Sequence, residues 1–299
     1  MAVKIGINPL TWTNDDMPAL GAETPLEVCL AEGKQAGYSG FELGNKFPRD
    51  PAVLGPILDK HALHLVSGWY SGQLMTRSVE EEIEAIQPHL QLLKALGAQV
   101  MVFAEVTGCI HGKKDMPLTR RPVLAKADWQ PYAERLTQLA DYTLSEGVQI
   151  AYHHHMGTII ETESEIDQLI MLTGKSVGLL LDTGHLVYAG GDPLVTIKRH
   201  IGRVCHIHCK DIRPEILQWA KNTDSSFLNA VLQGVFTVPG DGCVDYPNIL
   251  QLLKMHNYTG WLVVEAEQDP AVARPLTYAK MGYQYLSEQV SIAGLELAG

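Results

Sequence analysis

The sequence predicts a (β/α)8 barrel, and three observations carry that reading. Eight short β-rich runs alternate with helix-length amphipathic segments along a chain of 299 residues. Hydrophobic residues make up 46% of it, enough apolar side chain for one large core. The alternative, an open doubly wound sheet, lacks its usual fingerprints. No G-x-G-x-x-G follows the first run, and no G-x-x-x-x-G-K-[ST] occurs. The expectation is a single domain over 1–299 with no nucleotide cofactor.

In chain order the runs are KIGINPL (4–10), GFELG (40–44), HLVSGWY (64–70), VMVFAE (100–105), VQIAYHH (148–154), VGLLLD (177–182), VCHIHC (204–209) and WLVVEA (261–266). Between them PLEVCLAEGKQAGY, SVEEEIEAIQPHLQLLKALGA and DWQPYAERLTQLADYTLSEG carry the helical apolar period, several closed by glycine. Thr162 with Glu165 makes a capping box for the helix after the fifth run, and Asp245 caps YPNILQLLKMH with Pro247 in its first turn. Two connections are long: 106–127, and 210–244 with helices near PEILQWAKN and SFLNAVLQ. In a barrel such loops follow strands and overlie the active face. The basic run 113–126 is broken by Pro117 and Pro122, and reads as a lid or contact segment rather than an anion patch.

Composition excludes several function classes. With 23 Lys+Arg against 34 Asp+Glu the formal net charge is -11, so nucleic acid would meet repulsion, and a small polar substrate fits better. The five cysteines lack a CxxC pair, which suggests reduced thiols. Strand-like sequence begins just after Met1, and no apolar run approaches the roughly 18 residues that cross a bilayer. A cytoplasmic protein without membrane contact is expected.

Ionisable residues gather at the C-terminal ends of the runs: Glu42, Glu105, His153 to His155, Asp182 and His185, His206 and His208, then Glu265 and Glu267. In a barrel these ends converge on one mouth. Strand alternation divides them, since only one parity reaches the axis. His206 and His208 share a face, with Cys205, Ile207 and Cys209 against the helices. Ala151, His153 and His155 go together, leaving His154 opposite. Singly, each polar residue reads as a hydrogen-bonded structural group. Four consecutive strands each ending in an imidazole or carboxylate read as a metal site. Mixed nitrogen and oxygen donors suit Mn, Co, Fe or Zn better than Ca. Glu42 and Glu105 stand between substrate contact and structural support.

The segments LLLDTGH, HIHCKD and GWLVVEAE resemble the xylose-isomerase-like barrels. Within that group, INPLTWTNDDMPALG, GFELGNKFP, AYHHHMGT and VEAEQDPA look like the inosose dehydratases, over nearly the whole chain. The resemblance implies metal ligands Asp182, His208 and Glu265. It places His153 where the wider family has glutamate. The two remaining carboxylates would balance a divalent ion, so a ketone oxygen would meet a stronger Lewis acid than with three. His185 matches the family histidine that touches substrate, and Lys210 sits in the matching Lys-Asp step.

The implied reaction removes water from 2-keto-myo-inositol (scyllo-inosose), giving 3D-(3,5/4)-trihydroxycyclohexane-1,2-dione. It needs a divalent ion, with Mn or Co foremost and Fe, Mg or Zn also compatible. Glu265 is the expected base, His155 or His185 the acid, and Lys210 a further catalytic group. Asn8, Trp12, Glu42, Lys46 and Glu105 are expected to bind the ring, with Trp69 or Trp129 stacking on it. Family barrels also associate, so a homo-oligomer is compatible. Three rival activities remain: a metal-dependent ketose epimerase or isomerase, an apurinic-site nuclease disfavoured by charge, and a non-catalytic sugar-binding barrel.

Overall fold

The computed structural model describes residues 2–298. Eight parallel strands pair in chain order: β1 (Ala2–Ile7), β2 (Gly40–Leu43), β3 (His64–Gly72), β4 (Val100–Glu105), β5 (Gln149–His153), β6 (Gly178–Asp182), β7 (Val204–Cys209) and β8 (Gly260–Val264). Pairing of β8 with β1, Ile5 opposite Leu262, closes the ring. The barrel expectation is met over the described residues, and Met1 and Gly299 of the expected domain lie outside them. Among these residues no helix is long and apolar enough to cross a membrane.

Strand ends differ from the sequence reading where chemistry intervenes. The first run stops at Ile7, because Pro9 has no N–H for the ladder; Pro9–Thr11 forms a 3-10 turn capped by Asn8. The capping boxes and caps form as expected, Thr162 with Glu165 before Glu163–Leu172 and Asp245 before Tyr246–Met255.

The apolar residues divide into two layers. Outward strand residues such as Phe41, Met101, Phe103, Tyr152, Ile207 and Cys209 pack under the helices. Inside the barrel Val102, Ala151 and Leu180 form a small plug beside Trp69 and Cys205. Cys205 corrects the parity argument. The β6 pairing steps from Leu179–Val204 to Leu180–His206, so Cys205 is an extra, bulged residue and turns inward instead of toward the helices.

The two long connections lock onto each other. Pro117 bridges Ser226, Thr119 Oγ1 donates to Asp224 Oδ2 at 2.8 Å, and Asn229 Nδ2 donates to the Lys114 carbonyl at 3.3 Å. The helices Pro214–Asn222 and Phe227–Leu232 lie in the second connection, as its sequence suggests. Arg121, within the basic run, donates to Glu165 Oε1 at 2.7 Å and lies 3.4 Å from Glu161 Oε1, so its charge is already neutralised. This roof covers the C-terminal mouth.

Candidate active site

Four buried side chains from β5 to β8 meet at that mouth. His153 Nε2 and His208 Nδ1 each lie 3.5 Å from Asp182 Oδ2, and His208 Nδ1 lies 2.9 Å from Glu265 Oε2. Nitrogen and oxygen ligands about 2.1 Å from a tetrahedral ion stand about 3.4 Å apart. Asp182 Oδ2 and His208 Nδ1 are buried without hydrogen-bond partners, as donors awaiting an ion would be. Burial alone would raise the Asp182 carboxyl, but Lys210 and His185 hold it well below the usual range; His208 and Lys210 likewise lower Glu265. Burial keeps His153 neutral, with a lone pair to give. These four residues fit a divalent ion and are the set that the family resemblance implies.

The DTGH segment explains itself residue by residue. Asp182 Oδ1 caps the following turn by accepting from the His185 amide at 2.8 Å, which leaves Oδ2 for the site. Thr183 Oγ1 donates to the Lys210 carbonyl at 2.7 Å, tying β6 to the end of β7. Gly184 is required because a Cβ there would stand 2.6 Å from Lys210 Cγ. His185 Nε2 accepts from Lys210 Nζ at 2.8 Å.

The histidine triplet divides as alternation predicts. His153 and His155 turn to the mouth. His154 turns away, its Nε2 accepting from the Asp182 amide at 3.2 Å, and burial pushes its pKa down to about 3. His155 Nδ1 must donate to the Met156 carbonyl at 2.8 Å, so its Nε2 carries the free lone pair, 4.0 Å from Glu267 Oε1. Burial and the neighbouring His111 keep His155 neutral. Gly157, at φ +78°, lets the connection after β4 press close, and accepts at its carbonyl from the Ile110 amide at 2.9 Å. That contact brings His111 to 5.0 Å from His155, ring centre to ring centre.

A cavity of about 270 Å³ opens in front of these groups, lined among others by Asn14, Asp15, Asp16, Trp69, His111 and Glu267. Among the described residues no lysine or arginine lines it. Its neighbours His153, His155, His208 and Glu265 face it, whereas Asp182, His185 and Lys210 lie behind. Burial pushes the Glu267 carboxyl up to about 7. Lys210 is buried and donates to Glu267 Oε2 at 2.8 Å, lies 2.6 Å from Glu265 Oε1, and contacts His185, so its donors are spent. His185 is stacked on Phe227 at 5.7 Å.

The expected ring-binding residues are dispersed. Trp12 is buried, donates to Glu32 Oε2 at 2.6 Å and packs on Phe41 at 5.6 Å, so it belongs to the helix layer. Lys46 Nζ is consumed by the carbonyls of Gly21, Ala22 and Thr24 at 2.8, 2.7 and 2.5 Å. Glu105 has the outward parity of Met101 and Phe103, and one of its oxygens accepts from the Thr107 amide at 2.9 Å. Asn8 and Glu42 do reach the cavity, with their polar atoms engaged by other side chains and, for Asn8 Oδ1, by the Leu10 amide. Trp69 lines the cavity and meets His153 and His155 in edge-to-face contacts; Trp129 is buried among helices. The sequence placed Glu267 among the ionisable strand ends without a role, and carried no signal for His111, Asp15 or Asp16, which lie in aperiodic loops.

A closed parallel barrel with a buried His/Asp/Glu group at its C-terminal mouth defines a class, and comparison agrees. The chain belongs to the xylose isomerase-like TIM barrel family, which matches residues 30–289. It is similar to an inosose dehydratase of Geobacillus thermodenitrificans, 45% identical over 96% of this chain and 97% of that protein. It is also 52% identical to the rhizopine catabolism protein MocC of Rhizobium meliloti, over 100% of this chain and 92% of that protein. The solved structure of an L-ribulose 3-epimerase shares the fold with a TM-score of 0.69 at 16% identity, covering 98% of this chain and 96% of that one.

Proposed function

We propose that this protein removes water from an inosose, 2-keto-myo-inositol, with a divalent ion held by His153, Asp182, His208 and Glu265. The observation that carries the reading is the convergence of those four buried ligands at the inner end of a small cavity. Identity above 40% to inosose dehydratases across nearly the whole chain supports the substrate. The name of the rhizopine catabolism relative specifies a route and no reaction. The cavity's carboxylates, without a lysine or arginine, suit a neutral polyol and oppose a phosphate ester. Mn or Co fits the mixed donors, and five free cysteines suit a reducing cytoplasm.

A bound divalent ion supplies Lewis acidity toward the ketone oxygen and so acidifies the neighbouring C–H. His155 Nε2, a neutral lone pair aimed by the Met156 carbonyl, takes the α-proton. Glu267, protonated near neutrality and 4.0 Å from that nitrogen, protonates the departing β-hydroxyl. One C–H and one C–O bond break, one C=C forms, and water leaves; tautomerisation of the enol gives the diketone. Glu265 is poorly placed as the base, because Lys210, His208 and Asn8 surround its oxygens. His185 and Lys210 hold Glu267 in place from behind.

Metal-stripped protein offered 2-keto-myo-inositol tests the reading. Turnover restored by Mn or Co, with a product lighter by one water and a new diketone absorbance, supports it. A product of unchanged mass would instead identify an epimerase, and full activity without metal would defeat the reading.

A further inference from the structure

We infer that Asn8 and Glu42 form an orienting clamp behind two of the metal ligands, setting how the ion is held while making no bond to the substrate. The inference rests on the metal reading above. Barrel closure supplies the geometry: β1 lies between β8 and β2, so the turn after β1 reaches both Glu265 and Glu42. Asn8 Oδ1 accepts from the Leu10 amide at 3.0 Å, which fixes the orientation of the side-chain amide. Its amide nitrogen then donates to Glu42 Oε2 at 2.7 Å and Glu265 Oε2 at 3.0 Å.

Glu42 is saturated in the same way. Its Oε1 receives Ser67 Oγ at 2.5 Å and His206 Nε2 at 2.9 Å, its Oε2 receives Asn8, and His208 Nε2 reaches both oxygens, 3.0 Å from Oε2 and 3.1 Å from Oε1. A carboxylate has about four acceptor positions, and four donors fill these. The bond from His208 Nε2 to Glu42 orients that ring: it leaves Nδ1 as the atom directed at Asp182 and Glu265, where a bound ion would take its lone pair. Two ligands on neighbouring strands are therefore aimed by a pair that touches both.

The test compares wild type, Glu42→Gln and Asn8→Ala, each stripped and titrated with Co(II) against a competing chelator. Metal affinity is expected to fall about 10- to 100-fold in both variants. The Co(II) visible spectrum should shift, and KM at saturating metal should stay within about twofold. Unchanged metal affinity and spectrum with a raised KM would overturn the clamp and restore a direct substrate contact. Circular dichroism verifies folding. If Glu42→Gln fails to fold, Asn8→Ala decides alone, because it removes the same bond to Glu42 from the other side. A wild-type chain that takes up no Co(II) defeats the metal reading itself, whereas variants that match a metal-competent wild type defeat only the clamp.

Discussion

The two ends of the barrel differ in size and in chemistry, and the larger is the poorer in chemistry. At the N-terminal end a cavity of about 710 Å³ is bordered by Lys4, His64, Val66, Gln149 and Trp261. At the C-terminal end the cavity measures about 270 Å³, yet His153, His155, His208, Glu265 and Glu267 all face it. Volume therefore does not mark the site; convergent donors do. The reason is polarity of the chain. Parallel strands deliver all their C-terminal residues, and the loops that follow, to one end, while the other receives short returns from helices.

The strongest way to break this contrast is to remove one ligand. Asp182→Asn should lose metal and lower kcat by about 10³-fold or more, since several kcal/mol of transition-state stabilisation go with the ion. Metal content and steady-state rates measure both. Next come the two groups proposed to move protons. His155→Asn and Glu267→Gln should each lower kcat about 10²- to 10⁴-fold with metal content preserved, and each should flatten one limb of the pH–rate profile. Retention of full kcat and both limbs would reassign the acid and base.

A stability effect sharpens the comparison by locating acid sensitivity away from either mouth. His89 sits under the helix layer with Nε2 against the Gly68 carbonyl at 3.2 Å, and burial pushes its pKa down to about 4. Its folded pKa lies below the unfolded value, so its neutral form favours the fold above about pH 6.5 and that contribution is lost as pH falls toward 4. Replacement by Gln should reduce the loss of unfolding free energy between pH 7 and 4.5 by about 2 kcal/mol in denaturant titrations. The smallest effect belongs to the large cavity. His64→Gln there should leave kcat/KM within about twofold, and a tenfold loss would show that the N-terminal end contributes to catalysis after all.

Much of this was legible because its signals are periodic. Alternation alone sent His154 away from the mouth and kept His153 with His155, and the donor chemistry of four strand ends suggested a metal. The same rule misled at Cys205, where a bulge inserts one residue, and could not decide which face of β4 carried Glu105. Trp12 and Lys46 were assigned to the substrate by segment, yet their partners Glu32 and the carbonyls of 21–24 are set by loop folding.

The sequence by itself determined the barrel and the end at which ionisable groups gather, because strand period and residue type are local properties, and the resemblance of its motifs to the xylose-isomerase-like barrels supplied the four candidate ligands. Tertiary structure alone decided what each neighbouring group is free to do. Lys210 has its donors spent, Glu267 is pushed toward neutrality, and Asn8 and Glu42 are hydrogen-bonded to Glu265 and His208. Those roles depend on partners 25 to 257 positions away, on burial, and on which lone pairs remain unclaimed, and no local pattern encodes them.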